Sequence, residues 1–163
     1  MIWIDADACP VAIREVIFRA SKRTSVPVTL VANVQVHANP SKRIRVIVVP
    51  AGADAADDKI IELMQRGDIV ITQDIPLAAR VVKKDGIAIG TRGQRFEDGQ
   101  VQNYLASRDL AEQMRSAGID TGGPKPAGQK DIQTFANSLD RTLTKRLKEI
   151  ARTKATEPSG GDA

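Results

Sequence analysis

The amino-acid sequence predicts a three-layer α/β fold, with a parallel sheet of about five strands between helices and additional helices at the C-terminal end. The first observation is that short apolar runs of strand length alternate with segments of helical periodicity, an order typical of parallel sheets with right-handed crossovers. The second is that these runs are apolar almost throughout, as strands buried on both faces are. The third is the length of 163 residues, which is enough for one domain with a real core.

The N-terminal part of the chain, residues 1–90, supplies the predicted sheet. The predicted strands cover residues 2–4, 28–32, 44–49, 68–72 and 87–89. The predicted helices cover residues 11–24, 54–66 and 76–84, each with apolar side chains at helical spacing. Gly67 is the expected C-cap of the second helix. The connection over residues 33–43 is long enough for a crossover but has no helical periodicity.

The C-terminal part, residues 91–150, is predicted to be helical after a polar loop over residues 91–100. One helix covers residues 101–117, and its predicted inward side chains are Tyr104, Leu105, Leu110 and Met114. A second helix is expected from a capping Asp131 through Ile150, with an apolar stripe that is typical of a core or dimer contact. We therefore predict one domain over residues 1–150, followed by a disordered tail over residues 151–163.

Composition excludes several classes of protein. No apolar run approaches the ~20 residues of a membrane span, and the N-terminal run lacks the basic segment of a signal peptide. A single cysteine excludes an intrachain disulfide and fits a reducing cytoplasm, where we expect the protein to act. One histidine and one cysteine cannot form the usual zinc site. Any metal is therefore expected to be a hard cation held by carboxylates.

The formal net charge of +4 is unevenly distributed along the chain. No acidic residue occurs from Val16 to Ala53, a stretch that contains basic side chains such as Lys42 and Arg43. A second basic run extends from Arg141 to Lys154. Basic stretches are usually solvated faces, but beside an acidic cluster they also suit a polyanion whose phosphates are positioned around a metal. The predicted partner is therefore a nucleic acid.

Acidic residues follow three of the predicted strands. Asp5 and Asp7 follow the first, and an extended backbone would place both on one side of the strand. Asp54, Asp57 and Asp58 follow the third strand, and Asp74 follows the fourth. Since the carboxyl ends of parallel strands share one edge of a sheet, these aspartates are expected to converge there. Such a pocket suits Mg²⁺ or Mn²⁺ and the metal-assisted hydrolysis of phosphodiester bonds.

The expected roles of individual side chains follow from this edge of the sheet. The candidate metal ligands are Asp5, Asp7, Asp57, Asp58 and Asp74, of which Asp5, Asp7 and Asp74 are the candidate catalytic residues. The candidate substrate-binding residues are Thr72, Lys42, Arg43 and Arg92. Each aspartate also has an ordinary alternative, because Asp54, Asp57 or Asp74 can cap a helix and Asp58 can be a surface charge. Taken singly, the ordinary role is the better interpretation; taken together, the set favours a site.

Several blocks of the sequence resemble one known family. They are residues 5–10 (DADACP), 30–33 (LVAN), 52–58 (GADAADD), 67–78 (GDIVITQDIPLA), 121–124 (TGGP) and 135–141 (FANSLDR). Together these blocks are highly specific, and from Met1 to about Leu147 the chain resembles the YaiI/YqxD family of bacterial proteins. That family has no established activity. It is grouped with the PIN-like superfamily, near the NYN-type ribonucleases, whose members hold one or two divalent metals with aspartates at strand ends.

The resemblance implies a PIN-like fold and a divalent-metal site. Asp5 or Asp7 then corresponds to the first-strand ligand, and Asp74 to the later strand-end aspartate. The middle acidic residue corresponds to Asp57 or Asp58. For the further acidic ligand of many PIN-like domains, the counterparts available are Asp85, Glu97 and Asp98. The expected function is a divalent-metal-dependent nuclease that acts on RNA rather than DNA.

Two alternatives stay open. A domain of the same fold could bind nucleic acid in a regulatory role without catalysis, with the basic runs as phosphate contacts. A phosphatase of the haloacid-dehalogenase type is the third interpretation, because Asp5 and Asp7 resemble its nucleophile and acid pair. That family places its Ser or Thr before a late acidic pair, whereas Asp57 and Asp58 precede Thr72 here. The nuclease is therefore ranked first.

Overall fold

The computed structural model describes residues 1–38, 41–118 and 126–156, and its centre is one six-stranded sheet. The strands are β1 (Ile2–Asp5), β2 (Val28–Ala32), β3 (Ile44–Val48), β4 (Ile69–Ile71), β5 (Ile87–Ile89) and β6 (Arg95–Phe96). Their spatial order is β3-β2-β1-β4-β5-β6. The first five strands run parallel, and β6 pairs antiparallel with β5. The prediction of a mainly parallel α/β sheet is thus confirmed.

Five α-helices and one 3-10 turn accompany the sheet within the described residues. The 3-10 turn covers Ala6–Ala8, and the helices are α1 (Val11–Thr24), α2 (Ala55–Leu63), α3 (Ile75–Lys83), α4 (Asp98–Ser116) and α5 (Gln129–Thr156). None of these helices combines the length and the apolar character that crossing a bilayer requires.

The helices cover both faces of the sheet because side chains alternate along each strand. Ile2 and Ile4 of β1 are fully buried against α1 and α5 on one face. Trp3 of β1 and Val70 of β4 are buried on the other face, where they pack with α2, α3 and the start of α4. Asp5 alternates with Ile4 and so lies on the same face as Trp3. The strands are therefore apolar almost throughout, as the sequence indicated.

Several predicted boundaries need correction. Gly67 is not a C-cap, since α2 already ends at Leu63 and Met64 is extended. Gly67 instead takes a positive φ of 80° in the turn before β4. Residues 95–96, expected to be loop, form β6. Asp131 is not the N-cap of the last helix; it lies in its first turn and accepts a hydrogen bond from the Gly128 backbone N–H at 3.1 Å.

The two C-terminal helices pack less than expected. On α4, Leu110 is 58% exposed and Met114 is 36% exposed, so their predicted inward packing is wrong. Leu105 packs against the core, and the ring of Tyr104 packs edge-on against the buried Phe96 with centroids 5.3 Å apart, as predicted. Apolar spacing identifies a helix face, but it does not establish that a partner covers that face. In α5 the first half of the stripe belongs to the core, as Phe135, Leu139 and Leu143 show.

The end of α5 differs from the predicted tail. The helix continues past the predicted end at residue 150 to Thr156, so residues 151–156 are helical. Residues 157–163 of the predicted tail, and the block at residues 121–124, lie outside the described residues.

Asp68, just before β4, holds the amino-terminal edge of the sheet together. Its carboxylate accepts hydrogen bonds from the Trp3 indole at 2.9 Å and from the Gln65 backbone N–H at 2.9 Å. It also pairs with the amino group of Met1 at 3.1 Å. One side chain therefore serves three donors from different parts of the chain.

We expect Asp68→Ala to lower the free energy of unfolding by about 1 to 3 kcal/mol, because the half-buried donors lose their acceptor. Urea unfolding followed by the fluorescence of Trp3 measures the change. The matched control is Asp109→Ala on the exposed surface of α4, which should change stability by less than about 0.5 kcal/mol. Equal effects of the two substitutions would contradict this role of Asp68.

Candidate functional site

The candidate site lies where the strand order of the sheet reverses. From β1 the chain adds β2 and β3 on one side, and then returns to add β4, β5 and β6 on the other. Between β1 and β4 the connections leave toward opposite sides, which opens a crevice beyond the carboxyl ends of these strands. Asp5 is the last residue of β1, and Thr72 and Asp74 follow β4. Polar side chains from the ends of both central strands, β1 and β4, therefore lie at the crevice.

One hydroxyl connects the two strand ends. Thr72 is buried, and its Oγ1 donates to Oδ2 of Asp5 at 3.0 Å. The same oxygen accepts from the backbone N–H of Asp74 at 2.9 Å. Asp74 in turn caps α3, because its Oδ1 accepts from the backbone N–H of Leu77 at 2.9 Å. Thr72 therefore positions both candidate catalytic carboxylates, and the ordinary capping role of Asp74 is present as well.

The acidic residues of α2 divide into an inward and an outward one. Asp57 is half-buried and its charge interacts with those of Asp5 and Asp74. Asp58 points outward and pairs with Arg80 of α3 at 2.8 Å. Asp54, at the N-cap position of α2, makes no side-chain capping bond. The structure thus brings Asp57, and not Asp58, into the cluster.

Asp7 has a different position from the one predicted. β1 ends at Asp5, and Ala6–Ala8 form a 3-10 turn, so Asp5 and Asp7 do not share one face of an extended strand. Asp7 is exposed, and its Oδ2 accepts from the backbone N–H of Asn33 at 2.9 Å. Its charge still raises the pKa of Asp5. Asp7 therefore borders the cluster and ties the loop after β2 to it.

The cluster is electrostatically unfavourable for its own carboxylates. Burial raises the pKa of Asp5, the Thr72 hydrogen bond opposes this, and the charges of Asp7 and Asp74 raise it further. The pKa of Asp57 is raised to about 6, first by burial and then by the charges of Asp74, Asp5 and Asp54, against a lowering effect of Arg80. Like charges at one place disfavour ionisation. A cation at this edge would relieve the repulsion.

The donor set decides what kind of cation fits. Within residues 1–38, 41–118 and 126–156, no three His, Cys, Asp or Glu side chains lie close enough together to surround one ion. Mg²⁺, however, commonly uses only one or two carboxylates and keeps water and substrate phosphate as its other ligands. The site fits that kind of binding through Asp5 and Asp74 with Asp57 beside them, and does not fit a cage of protein ligands alone.

The candidate substrate-binding residues separate in space. Thr72 lies inside the cluster, and Arg92 follows β5 at the same edge of the sheet. Lys42 and Arg43 precede β3, and the carbonyl of Arg43 accepts from Val28 at the start of β2. They lie at the amino ends of the strands, at the edge opposite to the carboxylates. The prediction that they bind a substrate held at the carboxylates is therefore wrong. Position relative to the strand, rather than charge along the sequence, decides the edge.

Several residues of the site were missed by the sequence analysis. Asn33 directly follows β2, and this strand-end position, which it shares with the aspartates, was a signal for it in the sequence. Arg80 gave a signal only as part of a helical pattern, although it pairs with Asp58 and lowers the pKa of Asp57. Gln73 donates to the buried hydroxyl of Thr91, which joins the ends of β4 and β5. No local pattern in the sequence indicates that bond.

Comparison with known proteins gives a family and no activity. The family model described as "Uncharacterized BCR, YaiI/YqxD family" matches residues 3–145. The UPF0178 protein of Herminiimonas arsenicoxydans is 50% identical over 144 residues, which are 88% of this chain and 97% of that relative. The UPF0178 protein of Yersinia enterocolitica is 49% identical over 147 residues, which are 90% of this chain and 97% of that relative. No solved structure matches the chain.

We expect Thr72→Val to lower the free energy of unfolding by about 2 to 4 kcal/mol, because it leaves the buried Asp5 carboxylate and the Asp74 N–H without their partner. It should also raise the pKa of Asp5, since the Thr72 hydroxyl favours the charged form. Urea unfolding and a ¹³C NMR titration of the carboxyl groups measure the two effects. Thr72→Ser keeps the hydroxyl, so its free energy of unfolding and its Asp5 pKa should stay close to those of the wild type. If the pKa of Asp5 were the same in the wild type and in Thr72→Val, the role of this bond would be contradicted.

Asp57→Asn should stabilise the protein at neutral pH. The pKa of Asp57 rises from 3.8 in its ordinary state to about 6 in the fold, so the native state keeps a proton that the unfolded chain has already released between these values. The stability of the wild type therefore falls as pH rises through this window. Asp57→Asn avoids this loss. Its free energy of unfolding at pH 7.5 should therefore exceed that of the wild type by about 1 kcal/mol, after discounting for solvent screening.

The measurement is urea unfolding of wild type and Asp57→Asn in EDTA, at pH 4 and at pH 7.5. The gain should appear only at the higher pH. Asp58→Asn is the matched control on the outward side of α2; it loses the pair with Arg80 and should show no gain. A difference between wild type and Asp57→Asn that does not change with pH would show that the carboxylates do not repel each other as described.

Proposed function

This chain belongs to the YaiI/YqxD family, and from its carboxylate cluster we propose that it is a divalent-metal-dependent nuclease that hydrolyses phosphodiester bonds of RNA. The observation that carries the proposal is the convergence of Asp5, Asp57 and Asp74 at the crevice between β1 and β4. We further propose that the fold is PIN-like, since strand-end aspartates beside a central parallel pair are what that superfamily uses.

The unpaired state of the Asp57 carboxylate supports a ligand-binding role. No hydrogen bond or ion pair to the Asp57 carboxylate is found among the described residues, although Arg80 lies near enough to lower its pKa. Burial of a charge without a partner lowers stability. Strongly perturbed carboxylates in a crevice are typical of functional sites.

The chain's own groups orient two carboxylates toward the crevice. Thr72 holds one oxygen of Asp5, and the Leu77 N–H holds one oxygen of Asp74. The other oxygen of each carboxylate has no hydrogen-bond partner in the part of the chain that the structure describes, so Oδ1 of Asp5 and Oδ2 of Asp74 are free to hold Mg²⁺ or Mn²⁺. Bound there, the metal would supply charge stabilisation at a phosphodiester and activation of water.

The proposed substrate follows from the charge of the protein and from the coordination of the proposed cation. The protein is basic overall, with a net charge of +4, which favours a polyanion. Phosphate oxygens complete the coordination of a cation that has few protein ligands. The choice of RNA rather than DNA as the substrate rests on the resemblance to NYN-type ribonucleases. The prediction of a nucleic-acid partner is therefore kept as part of the proposal.

A non-catalytic nucleic-acid-binding domain is the second candidate. The observation that favours it is the lack of three metal-binding side chains around one point within the described residues. The phosphatase interpretation rests on Asp5 and Asp7 as a nucleophile and acid pair, and the contact between Thr72 and Asp5 is the observation that favours it. It is weakened because no lysine forms an ion pair with Asp5 in the described part of the chain.

The test compares wild type with Asp5→Asn/Asp74→Asn in cleavage of a fluorescently labelled single-stranded RNA in Mg²⁺ or Mn²⁺. The double variant should lose activity by a factor of about 100 or more, since the metal loses its fixed ligands. It should also lose saturable Mn²⁺ binding in calorimetry. Binding of the RNA should be retained or become tighter, because two negative charges that face the phosphates are removed.

Asp109→Asn, on the exposed surface of α4, is the matched control and should retain both cleavage and Mn²⁺ binding. Wild-type protein that binds RNA but neither binds Mn²⁺ nor cleaves would establish the non-catalytic domain instead. Hydrolysis of a phosphate monoester without cleavage of RNA would favour the phosphatase.

A further inference from the structure

A cavity of about 530 Å³ borders the carboxylate cluster. It lies between α1 and the loop over residues 33–38, and we call it the side cavity. Its lining includes Ala6 and Asp7 of the 3-10 turn that follows Asp5, and the charge of Asp7 acts on Asp5. The hydrogen bond from the Asn33 N–H to Asp7, at 2.9 Å, connects the loop to the 3-10 turn. A ligand in the side cavity would therefore be separated from the cluster by Asp7 and the 3-10 turn, at the same edge of the sheet.

The walls of the side cavity are mainly apolar. Val11, Phe18, Val34 and Val36 line it. Val11 and Val34 are 63% and 64% exposed, which is unusual for valines and leaves apolar surface uncovered at the opening of the cavity. Volume and apolar lining resemble those of pockets that bind small organic molecules.

A few polar groups give the side cavity both donors and acceptors. Arg14, Glu15 and His37 line it together with Asp7. Nε of Arg14 is buried and has no hydrogen-bond partner in the described part of the chain, and the same holds for Oδ1 of the adjacent Asn33. Buried polar atoms of this kind are normally paired. The mixture of acidic and basic groups does not suit a phosphate, but it suits the donors and acceptors on the edge of a nucleobase.

We propose that the side cavity binds one nucleobase of the RNA strand, that of the nucleotide next to the phosphodiester at the carboxylate cluster. This rests on the proposed nuclease function. In single-stranded RNA a base can leave its stack, insert its flat apolar faces between side chains and present its polar edge. Phe18 and the valines contact the faces, and Arg14 and Glu15 contact the edge. The phosphate stays outside, at Asp5 and Asp74.

The test uses the four 5′-ribonucleoside monophosphates as probes, with EDTA present so that no metal takes part. Binding is followed by ¹H–¹⁵N NMR. Saturable shifts are expected at Arg14 and in residues 33–38 of the wild type. Val34→Trp fills the opening of the side cavity from an exposed position and should weaken binding at least tenfold. Leu110→Trp, at a position 58% exposed on α4, is the matched control and should leave binding unchanged.

Arg14→Gln gives a second test of the polar edge. It should weaken binding several-fold, whereas Arg66→Gln, an exposed position in the loop before β4 at the amino-terminal edge of the sheet, should not. Shifts confined to other parts of the protein, or binding that Val34→Trp leaves unchanged, would overturn the subsite. RNA cleavage by the wild type that Val34→Trp does not alter would also overturn it while the nuclease stands. Nucleotide binding in the cavity without Mn²⁺ binding or cleavage would keep the subsite and remove the nuclease.

Discussion

The hydrogen bond from Thr72 to Asp5 joins the two central strands at the point where both end. Asp5 is only 7% exposed, and its buried carboxylate needs a donor. The same hydroxyl accepts the N–H of Asp74, which caps α3. A buried charge, a strand end and the first turn of a helix thus depend on one side chain. The pair between Arg80 and Asp58 then links α3 to α2, the helix that carries Asp57.

The fold was predictable where a local pattern decided the structure. α1, β2 and β5 have the predicted bounds, because apolar runs and breakers such as Pro27 mark their ends. The parallel direction followed from alternation of strands and helices. The two-residue β6 was too short to leave a pattern, and its pairing with β5 depends on contacts in space. The exposure of Leu110 and Met114 on α4 was missed for a similar reason, since apolar spacing along a helix does not show whether another element packs against that face.

The site was predictable to the extent that it depends on strand ends. Asp5 ends β1 and Asp74 follows β4, and the parallel pairing of these neighbouring strands places both residues at the same edge of the sheet. The choice between Asp57 and Asp58 depends on how α2 is rotated over the sheet, which the sequence left open. Lys42 and Arg43 were assigned to the wrong edge because a basic stretch in the sequence can include both ends of a strand. The side cavity beside Arg14 arises from a loop without periodicity and left no signal.

Asp57 and Asp58 show how a structural acid differs from a functional one. They are neighbours on the same helix, and Arg80 is near both. Arg80 pairs with Asp58, which is exposed and where the pair adds little stability. Asp57 is the more buried of the two and is left without a partner among the described residues, with its pKa raised to about 6. A sequence selected for folding alone would pair the buried charge or replace it. The proposed cation beside Asp5 and Asp74 would supply the missing positive charge, and this gives the unpaired carboxylate a physical reason to be there.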